Sequence, residues 1–303
     1  MSSDSLKRMM GMESSPYGRD VSAHTHSEDF LTKVLTFLVD STLFCAIVPS
    51  VITFATIVLT KNPFSWTLVL LPFFACLLIY SSNRLTDRRE DAINLPERIR
   101  FPHRIRITLL IVALIFYVLL LGIVFQKNLL SFVIGLVPLV IAFLYSGCRL
   151  KRFFLLKNAS IATAVCASVL IVPAYYENWG GIWKILAVFF FFMILTNTIL
   201  FDIKDIRGDS IVGIHTLPVL FGISATKKIC YALVSAAFIT IVPMISMNYE
   251  SILLIPFTCT LVLSIIYAPE VEKPPWWYFG ILVDGEYWIL LFSTVIAVIL
   301  QLK

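Results

Sequence analysis

Charge is what this sequence has least of. Only 14% of its 303 residues are Asp, Glu, Lys or Arg, against 59% hydrophobic residues and a mean hydropathy of +0.89. That balance excludes an ordinary soluble globule. Short alternating apolar and polar strands are also missing, and runs such as "ILAVFFFFMILTNTILF" are continuous, which excludes a transmembrane β-barrel. The six cysteines, Cys45, Cys76, Cys148, Cys166, Cys230 and Cys259, lie singly in or beside apolar runs. With no paired spacing they read as small core residues, and neither a zinc site nor a disulfide framework is indicated. The first 29 residues contain no short apolar core of the signal-peptide kind and carry five acids, which a transit peptide would avoid.

What the sequence has in quantity is apolar length. Runs at about 31–60, 64–82, 106–125, 129–147, 159–176, 183–201, 228–247, 251–268 and 286–302 mostly approach the 20 or so residues a helix needs to cross a hydrocarbon core. The expected fold class is therefore all-α: a polytopic membrane protein of about nine transmembrane helices arranged around a central cavity. Residues 1–29, polar and Ser-rich, read as a disordered tail, and 30–303 as a single transmembrane domain.

The positive charges are distributed unevenly. Twenty of the 24 Lys and Arg residues fall on the N-terminal side of a nine-span arrangement, and only Lys61, Lys127, Lys184 and Lys303 fall on the other. The positive-inside bias then predicts an integral membrane protein with its N-terminus and charged connections in the cytoplasm. The net charge of +5 is a topology signal, and no nucleic-acid partner is implied.

Acids in the same connections need a different reason, because a carboxylate beside a membrane helix helps neither insertion nor anchoring. Two clusters stand out. In "NRLTDRRED", Asn83, Asp87 and Asp91 are spaced by four; in "DIKDIRGD", Asp202, Asp205 and Asp209 are spaced by three and four. Each set falls on one face if its helix continues, the second only if helix survives as far as Gly208. Facing rows of carboxylates repel unless a cation sits between them, and hard oxygen donors with open positions suit Mg²⁺ shared with a phosphate. A magnesium-bound diphosphate is the natural guest, with Arg84, Arg88, Lys204, Arg149, Lys151 and Arg152 available to its oxygens. An allylic diphosphate held there would ionise, leaving a carbocation in an apolar cavity with its tail between the helices. The bland alternative is that each acid is a solvated helix end. "DRRED" and "DIRGD" also share the form D-x-R-x-D after the second and sixth helices, which fits an internal duplication.

These residues resemble the UbiA-type superfamily of intramembrane prenyltransferases. The family's first motif, N-D-x-x-D-x-x-x-D, is matched at Asn83, Asp87 and Asp91; its second, D-x-x-x-D, is matched at Asp205 and Asp209, with Asp202 as an extra acid. "YSGCRLKRFFLLKN" is similar to the family's tyrosine-and-basic segment and supports Tyr145, Lys151 and Arg152 as diphosphate contacts. The resemblance covers the chain from about residue 30. It implies two Mg²⁺ ions on Asn83, Asp87, Asp91, Asp202, Asp205 and Asp209, and catalysis carried by Asp87, Asp91, Asp205 and Asp209. It implies diphosphate contacts from Arg84, Tyr145, Lys151, Arg152 and Lys204. The partners expected are a polyprenyl diphosphate, an aromatic or lipid acceptor and membrane lipids.

The chain departs from the pattern at Arg84, where an acid is expected, and at His215, where Lys or Arg often precedes "TLP". Arg84 either contacts diphosphate directly or marks a branch with altered chemistry, including terpene cyclases on the same scaffold, which are the alternative to a transferase. A transporter using the acids as a cation site is the rival of another class; clustering of the acids at one surface argues against it. Asp40, a carboxylate in the first apolar run, is a candidate for the acceptor pocket. Phe189 to Phe192 read first as packing residues and second as a shield for a cation. Trp276, Trp277 and Tyr278 read as an interfacial belt or a lid over the site.

Overall fold

The computed structural model describes residues 37–38, 41–86, 102–147, 153–268, 283 and 285–301. The chain divides into Met1–Leu38, of which only Phe37 and Leu38 are described, and Val39–Lys303, which holds the helical body. The expected tail, Asp40 and the Trp276 to Tyr278 segment lie outside the described residues.

Among the described residues nine α-helices succeed one another: α1 (Leu43–Leu59), α2 (Trp66–Thr86), α3 (His103–Lys127), α4 (Leu129–Gly147), α5 (Leu156–Tyr175), α6 (Trp183–Ile211), α7 (Leu217–Met247), α8 (Leu254–Ile266) and α9 (Glu286–Gln301). A 3₁₀ turn, Tyr249–Leu253, joins α7 to α8. Five of the nine are long and apolar enough to cross a membrane, and the other four are shorter apolar helices. The chain is an integral membrane protein with the all-α architecture expected of it. α3 shows why: Ile111, Leu114, Ile115, Val118 and Leu119 are exposed along one face while Ala113, Tyr117, Leu121 and Val124 are buried on another, and an exposed face so wholly apolar is stable only where the surroundings are themselves apolar.

Each helix packs on its chain neighbours, and α9 returns to α1 and α8, so the nine close into a ring. α1 and α5 also touch, dividing the interior into two cores. One core is built by α1 with α5 to α9 around Phe189, Phe190, Met193 and Phe257. The other is built by α1, α2, α3 and α5 around Leu68, Leu71, Tyr117 and Leu121. Thr53 Oγ1 on α1 lies 3.0 Å from Ser168 O on α5 and pins the dividing pair. Pro49 removes the N–H that would bond Cys45 O, and the Cys76 thiol of α2 takes its place, with Sγ 3.5 Å from that oxygen. At the end remote from the acids, Asn128 Nδ2 donates to Ala174 O at 3.0 Å and Lys61 pairs with Glu250 at 3.1 Å.

The seventh apolar run was expected from about 228, but α7 begins at Leu217. Lys227, Lys228 and the polar residues before them dilute the hydropathy without breaking the helix. Its first turn is set off by a kink at Gly222 (φ 76°, ψ 169°), a conformation open almost only to glycine.

Candidate active site

Helix α6 continues unbroken through Ile211, so Asp202, Asp205 and Asp209 stand on one helix as their spacing required. Seven residues of α-helix return almost to the same azimuth, which aligns Asp202 with Asp209 two turns later. Asp205 stands between them, half-buried and offset to one side. The helix ends just past the row because Gly213 adopts φ 75°. Ile214 N donates to Asp209 O at 2.8 Å, and Gly213 N donates to Ser210 O at 3.3 Å, the paired bonds of a Schellman cap.

The partner of this row is the start of α5. Lys157 Nζ lies 2.8 Å from Asp202 Oδ1 and 2.9 Å from Asp209 Oδ2, and Asn158 Nδ2 donates to Asp202 Oδ2 at 2.8 Å. Asp202 is 2% exposed and Asp209 5%, so both carboxylates have lost their water and depend on these contacts. A lysine in the first turn of a helix opposes the helix dipole; two buried acids opposite it supply the compensation. Neither Lys157 nor Asn158 was singled out from the sequence, where Lys157 counted only toward topology. The misplaced charge in the first turn of α5 is the signal that could have found it.

Next to this cluster is a cavity of about 120 Å³ between α1, α2, α4 and α5. Asn83, Tyr80 and Tyr145 stand at its mouth, Ile79, Ile141 and Ile161 along its walls, and Pro49, Pro72, Pro138 and Ser168 at its deep end. Its lining is overwhelmingly hydrocarbon. Tyr145 connects the two features, since it lines the cavity and lies within electrostatic reach of Lys157. Asn83 and Arg84, in the last turns of α2, are both half-buried.

Residues 47–275 match the UbiA prenyltransferase family. The chain belongs to that family. Prenyl transfer is the activity this membership supports. It is 29% identical over 189 residues to the digeranylgeranylglyceryl phosphate synthase of Pyrococcus furiosus, an alignment covering 60% of this chain and 67% of the relative. In fold it is similar to a UbiA homolog from Archaeoglobus fulgidus solved bound to GPP and Mg²⁺, with a TM-score of 0.63, 18% identity, and coverage of 88% of this chain and 99% of that one. It is also similar to the apo structure of a UbiA homolog from Aeropyrum pernix K1, with a TM-score of 0.60, 12% identity, and coverage of 86% and 98%.

Within this UbiA-family chain the site residues expected from sequence divide in two. Asn83, Arg84, Tyr145, Asp202, Lys204, Asp205 and Asp209 are described; Asp87, Asp91, Lys151 and Arg152 lie outside the described residues. Asp202 and Asp209 are brought together through Lys157, and Asn83 and Tyr145 share the cavity mouth. Lys204, two residues from Asp202 and so on another side of α6, holds Nζ 4.6 Å from the centre of the Phe201 ring. His215 is exposed. Phe189 and Phe190 are fully buried, their ring centroids each 6.2 Å from that of Phe257, and serve packing more than three turns from the acids. Among the described residues no three His, Cys, Asp or Glu side chains converge as a metal cluster.

Proposed function

We propose that the chain is a Mg²⁺-dependent intramembrane prenyltransferase, moving the prenyl group of a polyprenyl diphosphate onto a hydrophobic aromatic or lipid acceptor. The observation that carries this reading is a cation seat beside a hydrocarbon cavity: the Lys157 ammonium held at 2.8 and 2.9 Å by two buried carboxylates, within electrostatic reach of Tyr145, which lines the cavity. Two acids that already close on one positive group fit a metal, and their oxygens are the donors Mg²⁺ prefers. Asn83, Asp87 and Asp91 from one motif and Asp202, Asp205 and Asp209 from the other would hold two ions. When bound, these ions neutralise charge developing on the departing diphosphate.

The protein's own groups do the rest. Arg84, Tyr145, Lys151, Arg152 and Lys204 bind and orient diphosphate oxygens, and Asn158 fixes the rotamer of Asp202. The cavity holds the prenyl tail and keeps water from the allylic carbon. In the reaction the C1–O bond breaks and its electron pair leaves with diphosphate. The acceptor's nucleophilic atom supplies the pair for the new bond to the allylic carbon and then loses its proton. The uneven distribution of Lys and Arg supports a cytoplasmic side for this chemistry.

The test is purified protein in lipid nanodiscs with labelled allylic diphosphates, Mg²⁺ and an extract of native lipid. A prenylated product formed with equimolar diphosphate, and its loss on chelation of Mg²⁺, are the expected results. A cyclic hydrocarbon formed equally well without acceptor would overturn the transferase reading in favour of a cyclase.

A further inference from the structure

We infer that the approach to α5 and the first turn of α7 form one apolar wedge, which inserts into the lipid leaflet at the acid end of the molecule and anchors there the segments that flank the acid row. The inference goes beyond the reaction proposed above and does not depend on it.

The wedge is made of exposed hydrophobic side chains from two parts of the chain. Phe153, Phe154, Leu155 and Leu156 lead into α5, and Leu220 and Phe221 stand just before the kink of α7. Phe153 is 59% exposed and Phe221 58%, and a contiguous apolar patch of this kind marks a surface that something apolar covers. Two backbone features present it. Leu155, the residue before α5, takes φ 60° and ψ −25°, a left-handed conformation that is costly for a bulky side chain. Gly222, directly after Phe221, makes the second turn with φ 76°. The rings of Phe154 and Phe221 then meet edge to face, their centroids 6.1 Å apart.

The level of the wedge follows from the length of α5. That helix, Leu156–Tyr175, has 20 residues and is apolar enough to cross a membrane. At 1.5 Å per residue it covers about 30 Å, the thickness of a hydrocarbon core. Tyr175, Tyr176 and Trp179 gather at its far end, as aromatic residues do at a membrane boundary. Leu156 then stands at the opposite boundary, and Phe153 to Leu155 lie just beyond it, among the headgroups. Tilting the helix draws them further into the bilayer. Side chains of this kind at this depth gain by dipping into the acyl region.

Charge favours a lipid surface over a second copy of the chain. Arg149, Lys151 and Arg152 directly precede Phe153 in the sequence, the mixture of bases and large apolar residues that interfacial segments use against anionic headgroups. A two-fold interface on the same patch would bring the same bases of both copies together. The anchored residues adjoin the acids: Lys157, two positions after Leu155, has Nζ 2.9 Å from Asp209 Oδ2.

The experiment is fluorine magnetic resonance of the full-length protein in lipid nanodiscs, with 4-trifluoromethylphenylalanine in place of Phe221 or, in a second protein, of Phe153. A third protein carries the label in place of Phe143, 70% exposed and one turn inside the end of α4, as the lipid-facing reference; the free labelled amino acid is the reference for water. Relaxation is compared with an aqueous gadolinium chelate and with lipid bearing a nitroxide at the fifth acyl carbon. Insertion of about 5–10 Å past the headgroups should shield positions 221 and 153 from gadolinium by about tenfold relative to the free amino acid. It should also let the nitroxide lipid relax both as strongly as position 143. Gadolinium relaxation at either position equal to that of the free amino acid would overturn the wedge. So would shielding of both positions from gadolinium and from nitroxide lipid alike, because protein would then be what covers the patch.

Discussion

Lys157 is the residue on which the site turns. Its ammonium is the positive charge shared by Asp202 and Asp209, two side chains that are almost wholly buried. A buried charge deprived of its partner is strongly destabilising. Lys157→Met, which keeps the aliphatic stem, should therefore lower unfolding stability in metal-free buffer by about 3–5 kcal/mol, and Mg²⁺ should restore part of the loss by binding the folded state. Denaturation of the two proteins with and without Mg²⁺ measures both effects; an unchanged stability would mean that the ion pair is not what holds the acids. Asn158 acts one step further out, through its bond of 2.8 Å to Asp202. Asn158→Ala should weaken Mn²⁺ binding, followed by electron paramagnetic resonance, by about 10–100-fold, the usual effect of removing the group that orients a ligand. The common helix of Asp202, Asp205 and Asp209 was legible in the sequence because their spacing is a helix period. Lys157 and Asn158 were not, since a lysine near a membrane surface already has an explanation in topology. Only the packing of α5 against α6 reveals what it faces.

At the scale of elements, the end of α6 and the start of α7 show how the chain presents the acid row. α6 carries Asp209 in its final turns and then stops in a Schellman cap at Gly213, where φ is 75° and nothing lies within 4 Å of the position a Cβ would take. Space is open there, so only backbone strain opposes a side chain. Gly213→Ala should cost about 1–2 kcal/mol of stability, the penalty for an L-residue in the left-handed region, without adding a steric clash. Thermal unfolding checks this, and an alanine variant as stable as wild type would mean that the turn relaxes into another conformation. Helices with continuous apolar runs, such as α3 and α4, were legible to within a few residues from hydropathy. α7 was not: its first eleven residues, Leu217 to Lys227, include Gly222, Ser224, Thr226 and Lys227, which dilute the hydropathy, and the chain turns at Gly222 before the helix runs on, with α7 as a whole packed on α6. A hydropathy window cannot see a neighbour.

The helical body, Val39–Lys303, is a ring of nine apolar helices among the described residues, split by the α1–α5 contact into two cores. That contact places the cavity beside one core and the acid row of α6 in the other, with α5 serving both: Lys157 and Asn158 face the acids, while Ile161 and Ser168 line the cavity. Class and helix number were legible because a membrane demands long apolar runs whatever the fold. A central cavity was expected too, but most of its lining was not legible, because its walls are Pro, Ala and Ile residues whose types are common throughout the chain and whose convergence depends on tertiary packing alone. The most direct measurement of this account is prenyl transfer to native lipid acceptor by wild type, Asp202→Ala and Asp209→Ala proteins in nanodiscs, across a Mg²⁺ titration. The account predicts magnesium-dependent transfer by wild type and a loss of about 100-fold or more in each variant, as when a group that stabilises developing charge is removed. Transfer by both variants at the wild-type rate, or transfer indifferent to Mg²⁺, would contradict it.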